Sequence, residues 1–370
     1  MDTRSLGSAR MTITRGAGSS LAGSGEEQTA PSISVAVLGC GGVAAKRVAA
    51  LPPSLSVRSV YDVDTTRAES LARSLRPHPD VAASAHEALS SDVEVALVAT
   101  FHKDLVPLAC LAVDAGCHVL VEKPGGRCSA ELRLLRDTAA SQHRIVRIGY
   151  NHRFHPAVLS ASELIRSGAH GGIMNVRARY GHGGRPGYER EWRADPVLAG
   201  GGELLDQGVH LIDLVRHLAG NVTLAFAEVR NDFWDCPVED NAYLALRTEG
   251  GGFAWLHASW TEWKNVFSME IALQHAKIEI TGLGGSYGTE RLTLYEMLPE
   301  MGPPQTTTWE WPFPDRSWAH EMMDFVSAIG GEETSGAGLD DAIAVLEIVK
   351  EAYAYRPVSG ATGMRYPNSG

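Results

Sequence analysis

The sequence is poor in cysteine and has no CxxC pair. Its five cysteines are an odd number among 370 residues, and Cys110 and Cys117 lie near an apolar segment. An odd number of cysteines without a CxxC pair is typical of reduced thiols in a cytosolic protein. It argues against a disulfide framework or a zinc site. We therefore expect a cytoplasmic protein that holds no metal ion.

Long apolar runs and an excess of positive charge are also missing. No run approaches the roughly 20 residues that cross a bilayer, and the formal net charge is −11. Nucleic acids and anionic membrane surfaces both attract basic faces. We therefore expect neither as a partner. Hydrophobic residues nevertheless make up 44% of the chain, which allows a normal packed core.

The first 30 residues contain five Gly, five Ser and four Ala, and no apolar stretch. A signal peptide needs an apolar region of about 7–15 residues. We expect a flexible tail over residues 1–30, because this composition cannot bury enough surface to fold.

From residue 31 to 150 the sequence alternates between short apolar runs and helical segments. The runs are apolar throughout, as in a parallel sheet covered by helices on both faces. This pattern predicts an α/β fold with a doubly wound dinucleotide-binding domain. The predicted strands are Ile33–Leu38, Leu55–Tyr61, Val93–Ala99, His118–Val121 and Ile145–Gly149.

Residues 151–370 follow a different pattern, in which strand-like runs succeed one another without long helices between them. This indicates an α+β domain with an open, mainly antiparallel sheet, closed by helices over about residues 318–355. An open sheet needs cover, and oligomerisation is one way to provide it. The predicted strands are Leu224–Asn231, Asn241–Thr248, Phe253–Trp260, Phe267–Gln274 and Arg291–Glu296.

The segment Gly39–Ala44 reads GCGGVA and fits the pattern G-x-G-x-x-G/A between a strand and a helix. Gly39 allows the tight turn, Gly41 lets a pyrophosphate approach the backbone, and the helix N-terminus favours the anion. Asp62, at the end of the second strand, can accept hydrogen bonds from a ribose 2′-hydroxyl and would repel a 2′-phosphate. This favours NAD over NADP. The alternative is a structural turn with Asp62 as a helix cap.

Thr100-Phe101-His102 follows the next long strand, at the edge where α/β folds bind ligands. These residues could flank the nicotinamide ribose. A solvated loop histidine is the equally plain alternative for His102.

Two further motifs support a family resemblance. They are Glu122-Lys123-Pro124 after a strand, and the run GGELLDQGVH over residues 201–210. Together with the glycine loop they make the chain resemble the Gfo/Idh/MocA oxidoreductases over about residues 33–355. The resemblance implies an N-terminal dinucleotide domain and a C-terminal open sheet. It also implies homodimers or homotetramers formed through that sheet.

The resemblance further implies roles for residues at matching positions. Lys123 corresponds to a lysine that contacts nicotinamide and substrate, and Asp206 and His210 to the substrate-side pair, with His210 as the proton acceptor. Tyr150, Asn151 and Arg153 match a segment that lines the substrate pocket. The sequence Thr100-Phe101-His102 departs from the T-P-N that many members carry.

These residue types suit alcohol oxidation, because histidine can accept a proton near neutral pH and an ammonium can stabilise negative charge on oxygen. Asp206 and His210 are four residues apart and share a helical face. Asp213 and His217 extend the same polar stripe, and we assign them structural roles. A solvated helix face and a two-ligand metal site at Asp206 and His210 are the alternatives.

The segment Tyr180–Tyr188 is predicted to be a glycine-rich loop that could fold over a ligand. Arg185 could pair with an anionic group, and Trp192 and Trp263 could pack on a sugar ring. A surface loop with packed aromatic residues is the alternative.

The sequence therefore predicts an NAD-dependent dehydrogenase or reductase that acts on a hydroxyl of a sugar, sugar derivative or cyclitol. One alternative is an oxidoreductase that retains NAD for transient redox chemistry, as in epimerases or dehydratases. Another is a ligand-sensing regulator on the same fold. The expected cofactor-binding residues are Gly39, Gly41, Gly42, Val43, Asp62, Thr100, His102, Glu122 and Lys123. The expected substrate-binding residues are Tyr150, Asn151, Arg153, Arg185, Trp192, Asp206 and His210.

Overall fold

The computed structural model describes residues 33–90, 92–300, 302–312 and 314–355. The tail expected over residues 1–30 lies outside these described residues. Within them, no helix combines the length and the apolar character needed to cross a bilayer.

The first part of the chain forms a six-stranded, entirely parallel sheet in the order β3-β2-β1-β4-β5-β6. The doubly wound domain is thus confirmed. Its strands are β1 (Ile33–Leu38), β2 (Leu55–Tyr61), β3 (Asp80–Val81), β4 (Val95–Val98), β5 (His118–Glu122) and β6 (Val146–Gly149). Its helices are α1 (Gly42–Ala49), α2 (Thr65–Ser74), α3 (Ala85–Ala88), α4 (His102–Asp114) and α5 (Ser129–Ser141).

The order reverses between β1 and β4, and a ligand crevice is expected at such a switch point. The glycine loop follows β1 and the Thr100 segment follows β4. Lys123 follows β5, the next strand along this edge. The topology thus collects these three segments at the carboxyl edge of one sheet.

The second part forms an eight-stranded sheet in the order β14-β13-β12-β11-β7-β10-β9-β8. Its pairs are antiparallel except β7 with β10, so the mainly antiparallel prediction is confirmed. The strands are β7 (Ile173–Gly181), β8 (Val222–Arg230), β9 (Asn241–Thr248), β10 (Phe253–Ser259), β11 (Val266–Leu273), β12 (Ala276–Thr281), β13 (Glu290–Glu296) and β14 (Gln305–Trp311). The helices are α6 (Pro156–Arg166), α7 (Pro196–Ala199), α8 (Val209–Ala219), α9 (Ser317–Ile329) and α10 (Leu339–Ala354).

Helices α6, α8 and α10 cover one face of this sheet. Side chains of β11 alternate strictly between buried and half-buried. Such alternation marks a sheet with one packed face and one open face.

The closing helices pack in two different places. Met322 and Phe325 of α9 lie in one hydrophobic cluster with Val35 and Val37 of β1. Helix α10 instead packs against α5 and β8. Helix α9 therefore packs on the first sheet, and α10 packs between a helix of the first domain and a strand of the second.

Candidate active site

The turn between β1 and α1 has room for a pyrophosphate. Gly39 has a φ of 94°, and a Cβ there would lie 2.4 Å from the carbonyl oxygen of Ala99, so only glycine fits. A Cβ at Gly41 or Gly42 would face open space, and no side chain caps the start of α1. The first N–H groups of this helix thus lack an intrahelical partner and can bind an anion. Val43, in the first turn, is half-buried.

Asp62 is fixed above this turn by two backbone groups. Its carboxylate accepts hydrogen bonds from the Cys40 N–H at 2.7 Å and from the Asp64 N–H at 2.9 Å. The cap of α2 is Asp64, which accepts from Thr66 N–H at 3.1 Å. The alternative role of Asp62 as a helix cap is therefore wrong. The turn and this carboxylate together fit a dinucleotide whose ribose carries a free 2′-hydroxyl.

Lys123 and Asp206 form a short ion pair. The Lys123 Nζ donates to Asp206 Oδ1 at 2.5 Å and to the Asp206 carbonyl at 2.6 Å. Arg193 Nε donates to the other carboxylate oxygen at 3.0 Å. Burial alone would raise the pKa of Asp206, but Lys123 and Arg193 outweigh it and lower the pKa well below its usual range. Asp206 is thus an anion held between two cations.

His210 belongs to the same site as Lys123 and Asp206, and its imidazole is neutral. Its ring lies against that of His152 at a tilt of 31°, with centroids 3.8 Å apart, and Tyr150 meets it edge-on at 5.7 Å. Burial, together with the charge of Lys123, lowers the pKa of His210 well below its usual value. Its buried Nδ1 has no hydrogen-bond partner among the described residues.

The polar stripe of this helix is not a solvated face. Asp206, His210 and Asp213 are at most 4% exposed, so that alternative is wrong. A π-helical stretch, Leu204–Gly208, carries Asp206 into α8, and such stretches are frequent at functional sites. Among the described residues, no three His, Cys, Asp or Glu side chains come close enough to hold a metal ion.

His102 is also buried, which contradicts the alternative of a solvated loop histidine. Its Nδ1 lies 2.8 Å from the Ala199 carbonyl oxygen, and its ring meets Trp192 edge-on at 5.0 Å. Burial lowers the pKa of His102 to about 4. Thr100 donates its hydroxyl to the Phe101 carbonyl at 3.2 Å.

Glu122 faces a buried ion network. Arg47 of α1 pairs with Glu122 and, at 2.6 Å, with Glu321 of α9. The guanidinium also lies over the ring of Trp318. The carboxylate of Glu122 is thus engaged with Arg47 at the strand end that carries Lys123.

Of Tyr150, Asn151 and Arg153, the three predicted substrate-pocket residues of this segment, one joins His152 in contact with the His210 ring. Tyr150 is that residue, and its buried hydroxyl has no partner in the described part of the chain. Asn151 donates to Ser317 at 2.8 Å. Arg153 donates to both carboxylate oxygens of Asp213, at 2.9 and 2.5 Å. The structure therefore directs Arg153 to a buried ion pair, which gives Asp213 the structural role that we assigned to it.

The glycine-rich loop begins later than predicted, because Tyr180 and Gly181 still belong to β7. Arg185 is exposed and already pairs with Glu191. Trp192 packs on Phe101 with centroids 5.3 Å apart, and Arg193 lies over its ring at 4.6 Å. The structure thus places Trp192, but not Arg185, against Arg193, which contacts Asp206, the partner of Lys123.

Sequence reasoning missed two charged residues of the site. Arg193 directly follows Trp192 in the sequence, and nothing in its spacing points to Asp206. Glu203 precedes Asp206 by three residues in the same motif. It is fully buried, and neither carboxyl oxygen has a partner among the described residues. The buried position of the motif was the only signal for it.

Two family models match the chain. One describes an oxidoreductase family with an NAD-binding Rossmann fold and matches residues 33–150. The other describes the GFO/IDH/MocA C-terminal domain and matches residues 158–287.

Individual proteins show the same likeness. Levoglucosan dehydrogenase of Pseudarthrobacter phenanthrenivorans is 30% identical over 163 residues, which are 44% of this chain and 42% of that protein. Inositol 2-dehydrogenase 2 of Saccharopolyspora erythraea is 29% identical over 229 residues, or 59% of this chain and 64% of that protein. The chain thus matches less than two thirds of either relative's length.

Among solved structures, GenD2 from gentamicin A biosynthesis, in complex with NAD, matches with a TM-score of 0.76 at 25% identity. The match covers 89% of this chain and 95% of that chain. The fold, the two matching family models and these relatives agree, and the chain belongs to the Gfo/Idh/MocA family of oxidoreductases.

Proposed function

We propose that the protein is an NAD-dependent oxidoreductase that transfers a hydride between nicotinamide and a secondary hydroxyl or ketone. The substrate class is a sugar, a sugar derivative or a cyclitol, as the names of the relatives suggest. The observation that carries the proposal is the contact of Lys123 with Asp206 beside a neutral, buried His210. These groups lie beyond the carboxyl edge of a dinucleotide-binding sheet.

NAD would occupy the turn after β1. The start of α1 would hold the pyrophosphate, and Asp62 would accept from the ribose 2′-hydroxyl. When bound, the nicotinamide supplies the hydride acceptor or donor. The carboxylate of Asp62 would repel the 2′-phosphate of NADP, so we propose NAD as the cofactor.

The chain's own residues would handle the proton and the charge on oxygen. Lys123 would stabilise negative charge that develops on the substrate oxygen. Asp206 would orient Lys123 through the 2.5 Å contact. Neutral His210 would accept the hydroxyl proton in oxidation and return it in reduction.

The test incubates purified protein with NAD or NADP and a panel of inositols, free sugars, sugar phosphates and nucleotide sugars, and follows NADH absorbance. Lys123→Ala and His210→Gln should each lower turnover by at least about 100-fold. Lys103→Ala, at a half-buried lysine, and His217→Gln, on the helix that carries His210, are the matched controls. The proposal would be refuted if the protein did not bind NAD and turned over no substrate of the panel.

The same assay separates the two alternatives. NAD retained through purification, without net NADH formation, would indicate transient redox chemistry. Saccharide binding without any chemistry would indicate a ligand-sensing regulator. Near-normal turnover in both Lys123→Ala and His210→Gln would show that other residues carry the reaction.

A further inference from the structure

Three aromatic side chains, Phe233, Trp234 and Trp263, form an aromatic cluster on the loops that follow β8 and β10. Phe233 is 59% exposed and Trp263 is 62% exposed. Their rings meet edge-on with centroids 4.7 Å apart, and Phe233 meets Trp234 at 5.2 Å. Exposed apolar groups that form a contiguous patch mark binding surfaces more often than scattered ones do.

The loop that carries Phe233 and Trp234 is firmly held. The buried carboxylate of Asp240 accepts hydrogen bonds from the N–H groups of Asp232, Phe233 and Trp234 at 2.8, 2.8 and 2.9 Å. The Trp234 Nε1 donates to the Trp260 carbonyl at 3.1 Å. The fold therefore fixes the backbone of both residues, and the exposure of Phe233 does not come from a loose loop.

Trp263 is held at a conformational cost. Its φ is 53°, in the left-handed region that favours glycine. A Cβ at Gly183 would lie 2.9 Å from its Cα, so the glycine-rich loop packs directly against it. Backbone strain of this kind is concentrated at functional sites.

A series of packed aromatic side chains leads from the aromatic cluster towards Asp206. Trp234 packs on Tyr188 at 6.1 Å, and Tyr188 packs on His182 at 5.5 Å. Tyr188 packs in one hydrophobic cluster with Trp234 and Ala194, and Arg193, the residue before Ala194, donates to Asp206 at 3.0 Å. The aromatic cluster is thus connected to Asp206 through packed residues, and it forms the exposed end of that series.

We propose that the aromatic cluster binds a second ring of the substrate, and that the substrate is a glycoside rather than a free monosaccharide. The proposal rests on the proposed function, since the sugar to be oxidised would lie at Lys123 and Asp206. The ring linked to it would then pack on Phe233 and Trp263. A rigid aromatic surface can bind the apolar face of such a ring at little entropic cost.

The test compares methyl and phenyl glucosides, in both α and β forms, by calorimetric binding to the NAD-loaded protein. A ring contact with an aromatic side chain corresponds to about a tenfold gain in affinity. We expect the wild type to bind a phenyl glucoside about tenfold more tightly than the methyl glucoside of the same anomer. Phe233→Ala and Trp263→Ala should each remove most of this preference and leave methyl glucoside affinity unchanged.

Trp309→Ala removes a tryptophan that is 40% exposed on β14 and should retain the preference. Wild-type protein that binds phenyl glucosides no better than methyl glucosides would overturn the proposal. So would a change of oligomeric state in Phe233→Ala with unchanged glucoside preference, because the surface would then bind a second copy of the chain. If the preference exists but no NADH forms with any sugar, the aromatic site stands and the proposed function fails.

Discussion

At the scale of single residues, the site depends on buried charges that balance one another. Asp206 is 4% exposed and carries the negative charge that Lys123 and Arg193 share. Removing one member of a buried group of charges leaves the others unpaired, which costs more than the loss of the contact itself.

Replacing Asp206 by Asn should therefore lower both activity and stability. We expect the free energy of unfolding to fall by about 3 kcal/mol, measured by urea denaturation, together with a loss of turnover. The control is Asp104→Asn, which removes a partly exposed pair with Lys103 and should cost at most about 1 kcal/mol. Equal stability of the two variants would show that Asp206 does not balance the buried cations.

Replacement of Glu203 should raise stability, whereas replacement of Asp206 should lower it. Burial, and next the charge of Asp206, raise the pKa of its carboxyl well above the ordinary value of 4.5. The unfolded chain therefore releases this proton at a lower pH than the folded chain does. Between the two pKa values the folded state holds more protons, so the contribution of Glu203 to stability falls as pH rises.

Glu203→Gln cannot lose a proton and should escape this penalty. We expect the free energy of unfolding of the variant, minus that of the wild type, to grow as pH rises above about 4.5. Urea titrations from about pH 4 to pH 8 would measure it. Glu351→Gln, at an exposed position of α10, is the control. A difference that stays flat with pH would mean that Glu203 is ionised in the folded protein.

At the scale of elements, the sequence predicts best those that carry their own signal. Strand β1, a continuous apolar run, has the predicted bounds, and β4, β5 and β6 differ from the predicted strands by at most two residues at either end. Strand β7 was missed, although it lies in the middle of the second sheet. Its exposed Arg177 and Arg179 alternate with buried small or aromatic residues, and its partners β10 and β11 come more than 70 residues later.

The site divides in the same way. The motifs placed Lys123, Asp206, His210 and the glycine turn, because each motif combines residue type with a position at a strand or helix end. Arg193 and Glu203 could not be predicted from spacing. Their roles depend on which charges the fold brings around them, and that is set by long-range packing.

The first turn of α1 leads to a prediction about cofactor choice. Asp62→Ala removes the carboxylate above the glycine turn, so the affinity for NAD should fall relative to that for NADP. Titrations of both cofactors, followed by protein fluorescence, would give the ratio. Asp64→Ala, which removes only the cap of α2, should leave the ratio unchanged. An unchanged ratio in Asp62→Ala would contradict the ribose role.

At the scale of the whole molecule, buried charge joins distant parts of the chain to the site. Arg47, Glu122 and Glu321 come from α1, β5 and α9, and each is at most 7% exposed. This network fixes the end of β5, and Lys123 is the next residue. Helix α9 thus connects the chain's C-terminal part to the strand that positions the proposed active lysine.

The open face of the second sheet is the remaining feature at this scale. Phe253 and Trp255 are 39% and 42% exposed on β10, and Trp255 stacks on Phe226 with centroids 6.1 Å apart. Trp255 lies opposite Arg177 of β7, which in turn lies opposite Glu270 of β11. We propose that this mixed apolar and charged face joins copies of the chain into a homodimer or homotetramer.

A charge placed in the middle of that face should separate the copies. Trp255→Glu would bury an unpaired carboxylate in any interface formed there, and such burial is strongly unfavourable. We therefore expect light scattering after size exclusion to show a dimer or tetramer for the wild type and a smaller species for Trp255→Glu. Leu134→Glu, at a position 61% exposed on α5, tests for a general effect of added charge and should keep the wild-type mass. A monomeric wild type, or a Trp255→Glu variant of unchanged mass, would contradict the proposed interface on this face. The open sheet would then need no partner, because its charged pairs already make it compatible with water.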